Sequence, residues 1–238
     1  MQVFAKARRA IRIGLRAAGL ERARHPTFVD LMRKLDIETV LDVGANAGQY
    51  VSEIRELGYR GRVVSFEPIR EVYGRLATSV SKDDRWEAYN LAVGARAGEQ
   101  LINVSENSVF SSFKSANTYL TDTFATSTPV RTERVNVIRL DDFLNEHPEL
   151  GRSAYLKIDT QGFELEVLKG TGKWLRKIKA LQLELPMRSL YEGQITWMAM
   201  AEWLAGHGFE IAMAKENGYD QSTMSLLELD VVFVRSAA

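Results

Sequence analysis

Acidic residues end two apolar segments in the first third of the chain, and glycines follow the first of them. Asp42 lies in the apolar run before Gly44 and Gly48, and Glu67 ends a second apolar run. Glycines let the backbone turn sharply where a strand passes into a helix, and the first turn of a helix leaves N–H groups free. A carboxylate at the end of the second strand can accept hydrogen bonds from both hydroxyls of a ribose. The spacing therefore predicts a site for a nucleoside cofactor.

The number of glycines indicates which cofactor this is. A dinucleotide site needs Gly-x-Gly-x-x-Gly so that the backbone can approach a pyrophosphate. Here only Gly44 and Gly48 are present, and Ala45 supplies no second glycine. Asp42 would repel a phosphate and attract the cationic amino-acid part of S-adenosylmethionine. We therefore expect S-adenosylmethionine, with NAD as the alternative. Close packing at a tight turn would explain the glycines but neither acid.

A second strand-turn-helix segment carries charges that a buried strand rarely tolerates. Lys157 and Asp159 alternate onto one face of a strand expected in the middle of a sheet, and Glu184 lies near the end of the next strand. Together with Asp42 and Glu67, these acids would meet at the carboxyl edge, where open α/β sheets bind ligands. A structural ion pair between Lys157 and Asp159 is the alternative.

This charged segment also supplies the candidate catalytic residues. Asp159 is the candidate base and Lys157 positions it, while Glu184 either shares the proton or helps to hold Mg²⁺ or Mn²⁺. The chain has no cysteine, which excludes disulfides, thiolate nucleophiles and cysteine-bound metals. His25 precedes the motifs, and His147 and His207 lie in segments typical of surface turns.

Alternating strands and helices must bring these residues to one edge of a sheet. The pattern predicts strands at 39–43, 62–67 and 87–93, separated by helices at 48–58 and 69–79. Three strands joined by two helices form the first half of a doubly wound, mostly parallel α/β sheet. Asn90 and Ala92, in the third strand, either flank an adenine ring or only end the strand.

Residues 95–139 break this alternation. Between Ser105 and Thr132 there are twelve serines or threonines, interleaved with aromatic residues. Alternation at 100–104 and 134–137 predicts an inserted β element beside the main sheet. Hydroxyls mixed with aromatic rings suit a sugar-like acceptor, although a surface hairpin would look similar.

A later segment offers a second candidate wall for the acceptor, although the helical spacing of Trp197, Met200 and Leu204 favours a place in the core. The candidate wall residues are Tyr191, Trp197, Met198 and Trp203.

The composition fits an enzyme-sized domain, expected here over 26–238. The chain has 238 residues, 45% of them apolar, so it can bury a large core. The net charge is zero, so bulk electrostatics predict no nucleic-acid partner.

The charge is concentrated at the beginning of the sequence. Residues 1–24 carry seven basic side chains against Glu21, a net charge of +6. Apolar residues lie between them at nearly helical spacing, which predicts a basic amphipathic helix over 1–25. This helix is either solvated or docked on an anionic membrane surface or acidic partner. No apolar stretch is long enough for a signal peptide or a membrane span, so we expect a cytoplasmic protein, peripheral at the membrane if the helix docks.

Taken together, these motifs resemble the FkbM-type S-adenosylmethionine-dependent methyltransferases over about residues 38–235. The resemblance implies a seven-stranded sheet of order 3-2-1-4-5-7-6, with the last two strands at about 208–214 and 228–235, and methyl transfer mostly to hydroxyl oxygen. Gln161 stands where many relatives carry Glu. The motifs that carry the resemblance are Val40–Gly48, Phe66–Pro68, Asn90–Gly94, Ser111–Ser112, Lys157–Glu164, Val167–Gly170 and Asp230–Arg235.

The residues and the resemblance together predict an O-methyltransferase acting on a hydroxyl of a glycan, glycolipid or glycosylated metabolite. A homo-oligomer is one assembly that we consider for this chain. The alternatives are a nicotinamide-dependent dehydrogenase and a catalytically silent cofactor-binding subunit. The expected cofactor residues are Asp42, Gly44, Ala45, Asn46, Gly48, Glu67, Pro68, Asn90, Ala92 and Asp159, and the expected substrate residues are Ser111, Ser112, Gln161 and Tyr191.

Overall fold

The computed structural model describes residues 26–236. The predicted N-terminal helix over 1–25 lies outside these residues. The strands of the described part are β1 (Thr39–Val43), β2 (Arg62–Phe66), β3 (Trp86–Tyr89), β4 (Ala92–Val93), β5 (Gly98–Ser105), β6 (Pro129–Ile138), β7 (Ala154–Ile158), β8 (Ala180–Pro186), β9 (Phe209–Asp220) and β10 (Ser225–Arg235). The α-helices are α1 (Phe28–Lys34), α2 (Gln49–Glu56), α3 (Arg70–Val80), α4 (Thr118–Thr123), α5 (Leu140–Glu146), α6 (Glu164–Thr171) and α7 (Trp197–Gly206).

Seven strands form the main sheet, in the order β3-β2-β1-β7-β8-β10-β9. Strands β1, β2, β3, β7 and β8 run parallel, and β10 is antiparallel to both of its neighbours. The doubly wound α/β class is therefore confirmed, and the strand order is the one that the family resemblance implies. The last two strands are longer than predicted and form a hairpin at the edge.

The central strands are buried along their whole length. Every residue of β1 and β7 is buried, because helices and loops cover both faces of the sheet. One apolar core lies on the face that includes Leu41 and Leu156, and a second lies on the face that includes Val40 and Tyr155. This rigid centre fixes the carboxyl ends of β1 and β7 at the site.

The β element predicted near 95–139 is a separate three-stranded sheet of order β4-β6-β5. One predicted strand must be corrected, because 87–93 is divided between β3 in the main sheet and β4 in the small one. Asn90 lies at the break, and its side-chain nitrogen donates to the carbonyl oxygens of Glu67 at 2.9 Å and Pro68 at 2.8 Å. The chain turns there from one sheet into the other.

None of the helices between residues 26 and 236 is long and apolar enough to cross a membrane. Helix α1 is short and begins with a capping box, in which Thr27 and Asp30 exchange hydrogen bonds between side chain and backbone. Its first residue, Phe28, reaches the cavity described next.

Candidate active site

A cavity of about 490 Å³ opens at the carboxyl edge of the main sheet. Residues that follow β1 and β2 line it, together with residues of the turn after β7, the end of β8 and the segment 108–113 between β5 and β6. Its size lies within the range of roughly 300–1,000 Å³ that is typical of small-molecule sites. Three of the four strand-end acids predicted from the sequence, Glu67, Asp159 and Glu184, therefore line one cavity.

The turn after β1 places backbone close to the cavity. Gly44 has a φ of +80°, and a Cβ atom there would lie 1.8 Å from the carbonyl oxygen of Asp159. Only glycine permits this approach of two strand ends. Ala45 and Asn46 also line the cavity, and Asn46 has a left-handed φ of +47°. Gly48 does not line the cavity. A Cβ atom at Gly48 would lie 2.5 Å from the ring of Trp86, so this glycine allows close packing.

Glu67 follows β2 and lines the cavity with only 5% of its surface exposed. Its Oε2 accepts from the backbone N–H of Asn46 at 3.0 Å, and its Oε1 accepts from the N–H of Ile69 at 2.9 Å. Burial raises the pKa of Glu67 to about 7, although the two backbone N–H groups oppose the rise. Each carboxylate oxygen keeps a lone pair for one hydroxyl of a diol.

Apolar residues also line the cavity beside Glu67. Pro68, Ile69, Leu91 and Ala92 line it, which suits a flat ring such as adenine. Asn90 does not line the cavity, since its amide is used to join the ends of β2 and β3. Of the two residues predicted to flank adenine, the structure therefore places Ala92 at the cavity and Asn90 behind it.

Lys157 carries its charge between two acids. Its Nζ lies 3.2 Å from Asp42 Oδ1 and 3.3 Å from Asp159 Oδ2, and it donates to the carbonyl oxygen of Gly44 at 3.1 Å. Burial lowers the pKa of Lys157, but the charges of Asp42 and Asp159 outweigh burial and raise it above its ordinary value. Asp42 is fully buried and does not line the cavity, and Ser65 Oγ donates to its second oxygen at 2.9 Å.

Asp159 and Glu184 both line the cavity, and Gln161 lies between them. The Nε2 of Gln161 is 3.0 Å from Asp159 Oδ1 and 2.7 Å from Glu184 Oε2. The other oxygen of Glu184 accepts from the amide of Asn217. Burial, followed by the charge of Asp159, raises the pKa of Glu184 well above its ordinary value.

The hairpin of β9 and β10 completes an acidic wall that the sequence-based prediction does not include. Asn217, Glu228 and Asp230 line the cavity next to Glu184. Burial, and then the charges of Asp159 and Glu164, raise the pKa of Glu228 to about 8. A signal was present in the segment Leu227-Glu228-Leu229-Asp230, because acids two residues apart on a strand share one face.

The four predicted substrate residues divide between the cavity and its support. Ser111 and Gln161 line the cavity. Ser112 does not, and its hydroxyl donates to the carbonyl oxygen of Gln161 at 2.6 Å. Tyr191 is 1% exposed and its hydroxyl lies 2.9 Å from Gln161 Oε1, so it also acts from behind the cavity wall.

The remaining candidates lie away from the cavity. The ring of His207 stacks on Trp203 with 3.7 Å between ring centroids, and His147 packs against Phe143. Met200 and Leu204 are buried, as their helical spacing predicts, and Trp197 and Met198 lie outside the cavity lining.

The predicted divalent cation does not fit the side chains at the cavity. The amide nitrogen of Gln161 occupies the position between Asp159 and Glu184 where a shared cation would have to bind. Among residues 26–236, no group of three or more histidine, aspartate or glutamate side chains is arranged to hold a metal ion.

The sequence of the site matches a known family. The model of the methyltransferase FkbM domain matches residues 42–211, which include Asp42, Glu67, Asp159 and Glu184. The chain belongs to the FkbM methyltransferase family. This membership confirms the resemblance drawn from the motifs and excludes the nicotinamide-dependent dehydrogenase.

Two known proteins show how far the likeness extends. The chain is 26% identical over 191 residues to the 2-O-methyltransferase NoeI of Sinorhizobium fredii, an alignment that covers 76% of each protein. The crystal structure of the methyltransferase FkbM from Methylobacillus flagellatus has a TM-score of 0.52 and 16% identity to it. That likeness covers 82% of this chain and 44% of the other, so this chain spans less than half the length of that protein and shares its fold.

Proposed function

We propose that this FkbM methyltransferase uses S-adenosylmethionine to methylate a hydroxyl of a glycan, a glycolipid or a glycosylated metabolite. The proposal is carried by the placement of Glu67 and Asp159 at one cavity. These residues follow β2 and β7, the strands on either side of β1, and both line the cavity. One carboxylate can bind a ribose while the other receives a proton.

The charge of the cavity supports a cationic methyl donor. Among the described residues that line it, Lys157 is the only basic one, and it is already paired with Asp42 and Asp159. Six carboxyl groups line the same cavity: Glu53, Glu67, Asp159, Glu184, Glu228 and Asp230. Burial raises the pKa of Glu67, Glu184 and Glu228, but the described lining has no unpaired cation, so it favours a sulfonium over a pyrophosphate.

The chemistry required of the protein is alignment and removal of one proton. When bound, S-adenosylmethionine supplies a methyl group on a positively charged sulfur that leaves as a neutral thioether. The bond from the acceptor oxygen to the methyl carbon forms as the carbon–sulfur bond breaks, and the hydroxyl proton passes to Asp159. Alignment of the two reactants can contribute about 7–11 kcal/mol.

The segment 108–113 supports a polyhydroxylated acceptor. Ser108, Phe110, Ser111 and Phe113 line the cavity, so hydroxyls and aromatic faces alternate along one wall. Aromatic faces pack on the C–H surfaces of sugar rings, and hydroxyls pair with those of the sugar. NoeI is a 2-O-methyltransferase, so this relative transfers a methyl group to oxygen, as we propose here.

A radiolabelled methyl donor tests the proposal. The protein is incubated with S-adenosylmethionine labelled in the methyl group and with separate pools of neutral oligosaccharides, amino-sugar oligomers and extracted glycolipids. We expect label in one pool, in an acid-stable ether that protects a neighbouring diol from periodate. Label on nitrogen or carboxyl oxygen would contradict O-methylation.

The same experiment separates an enzyme from a silent subunit. A silent subunit would bind S-adenosylhomocysteine in a calorimeter but transfer no label to any pool, and it would associate with a second protein. An enzyme of the proposed kind binds the cofactor product and labels one pool without a partner.

A further inference from the structure

The side-chain amide of Gln161 joins the two carboxyl groups nearest the proposed reaction. Its Nε2 lies 3.0 Å from Asp159 Oδ1 and 2.7 Å from Glu184 Oε2. A primary amide nitrogen carries two hydrogens, so it can donate one to each carboxylate. Gln161 therefore links the turn after β7 to the end of β8 through a single group.

The amide oxygen of Gln161 has a hydroxyl partner behind the cavity. The hydroxyl of the buried Tyr191 lies 2.9 Å from Gln161 Oε1 and 3.0 Å from the carbonyl oxygen of Phe110, and its proton serves these two acceptors. A reversed amide would direct its carbonyl oxygen at two carboxylates. An oxygen of each carboxyl group can accept from the amide nitrogen whether or not Glu184 is protonated, so placing the nitrogen on the side of Asp159 and Glu184 satisfies both groups.

The backbone of Gln161 is held in a conformation that costs energy. Gln161 has a left-handed φ of +54° and Gly162 has a φ of +93°. Ser112 Oγ donates to the carbonyl oxygen of Gln161 at 2.6 Å, and Glu164 Oε1 accepts from the N–H of Gly162 at 3.0 Å. Such strain persists where surrounding contacts enforce it, and it clusters at functional sites.

The two linked carboxyl groups have unequal second partners. Asp159 has the ammonium of Lys157 at 3.3 Å, whereas Glu184 has the neutral amide of Asn217. We propose that Gln161 is a positioning residue that ties Asp159 to Glu184 and stabilises the charged Asp159 carboxylate as the acceptor of the hydroxyl proton. This inference rests on the proposed methyl transfer and assigns to Gln161 a role other than contact with the substrate.

The pH dependence of turnover tests this role. Gln161→Met keeps the length of the side chain and removes its donors, so the acid limb of kcat/KM should move up by about one to two pH units. At a pH on that limb the same change lowers kcat/KM by about 10-fold to 100-fold. The affinity for S-adenosylhomocysteine should stay within about threefold of the wild type, since Gln161 does not contact Glu67 or its partners.

A matched pair of variants separates the amide from a general change of charge. Gln161→Glu has the same shape but adds a third carboxyl group next to two others, and we expect the larger upward shift of the acid limb. Gln100→Glu makes the same change at an exposed position of β5 and should leave the pH profile of kcat/KM unchanged. Lower turnover with an unshifted acid limb in both Gln161 variants would overturn the proposal.

A measurement of stability needs no acceptor and so stands apart from the proposed reaction. If Gln161 bridges Asp159 and Glu184, the Gln161→Glu variant should become less stable as pH rises. Repulsion among the three carboxyl groups raises their pKa values in the folded state. Adding Asp159→Asn and Glu184→Gln should abolish most of this pH-dependent loss. Equal losses with and without the neighbouring acids would refute the bridge, whereas label in no acceptor pool would refute only the methyl transfer.

Discussion

Lys157 Nζ lies 3.2 Å from Oδ1 of Asp42, and Asp42 is fully buried behind the cavity. The sequence predicts that Asp42 contacts the cofactor directly. In the structure Asp42 does not line the cavity and is the counter-ion of Lys157, which does line it.

Removal of Lys157 should destabilise the folded protein, because Asp42 would stay buried without a cation. In Lys157→Met, Asp42 keeps one hydrogen bond from Ser65 and no cation, and loss of one partner of a buried pair costs about 3–5 kcal/mol. The isolated acid would acquire a raised pKa in the folded state, so the stability loss should grow as pH rises. Urea unfolding at several pH values measures it.

Two further variants check the cause of that loss. The exposed Lys173→Met should change stability little, and adding Asp42→Asn to Lys157→Met should restore much of the loss. A loss that is unchanged in the double variant would show that Lys157 stabilises the fold without Asp42.

Binding of the cofactor product should depend on the charge of Glu67. Burial raises the pKa of Glu67 to about 7, so the apo protein loses stability as the pH rises from the ordinary carboxyl range through about 7. A ribose diol prefers the charged form, which should weaken S-adenosylhomocysteine binding by up to about tenfold per pH unit below that value. Calorimetry across this range measures the slope.

Substitution of Glu67 provides the control for this slope. Glu67→Ala should weaken S-adenosylhomocysteine binding about tenfold or more, since it removes charge-assisted hydrogen bonds worth about 1.5–3 kcal/mol. Its residual affinity should vary less with pH than that of the wild type. An unchanged dissociation constant would show that another group binds the ribose.

Asp159 should matter for turnover and little for binding. Asp159→Asn is expected to keep S-adenosylhomocysteine affinity within about threefold while it lowers turnover about 100-fold or more, the usual scale for a positioned acid-base group. Because the amide of Gln161 fills the position between the two acids, we expect turnover to be insensitive to EDTA. Near-normal turnover in Asp159→Asn would make this carboxylate structural.

The contact between β1 and β7 can be tested at one glycine. In Gly44→Ala the new methyl group would lie 1.8 Å from the carbonyl oxygen of Asp159, at a φ of +80° that disfavours a side chain. We expect a loss of about 3 kcal/mol or more in the free energy of unfolding. The control is Gly74→Ala in α3, where no atom lies within 4 Å and alanine should stabilise the helix by about 0.5–1 kcal/mol.

Local patterns in the sequence predict which residues stand at the carboxyl edge of the central strands. Asp42, Gly44 and Glu67 belong to strand-turn-helix units in which neighbours in sequence are neighbours in space, and the same holds for Lys157 and Asp159. The sheet class follows from the same alternation of strands and helices. These residues are therefore the ones that the sequence places most securely.

The acidic wall and the bridge could not be predicted in this way, because they depend on pairing between distant segments. Asp230 stands directly opposite Glu184 only because β10 pairs with β8 in an antiparallel register. Facing carboxylates destabilise a sheet, so the pairing could not be guessed from propensity. The supporting role of Ser112 and Tyr191 likewise depends on contacts with Gln161 that span distant segments.

The small sheet begins and ends at one point of the fold. Ala92 in β4 pairs with Val137 in β6, so the two ends of the segment between them lie side by side. Ser108 and Phe110 of this segment line the cavity. Residues can be added or removed between Ala92 and Val137 without moving the strands of the main sheet apart. If this segment contacts the acceptor as proposed, a change in its length would alter which acceptor fits and would leave the residues at the ends of the central strands in place.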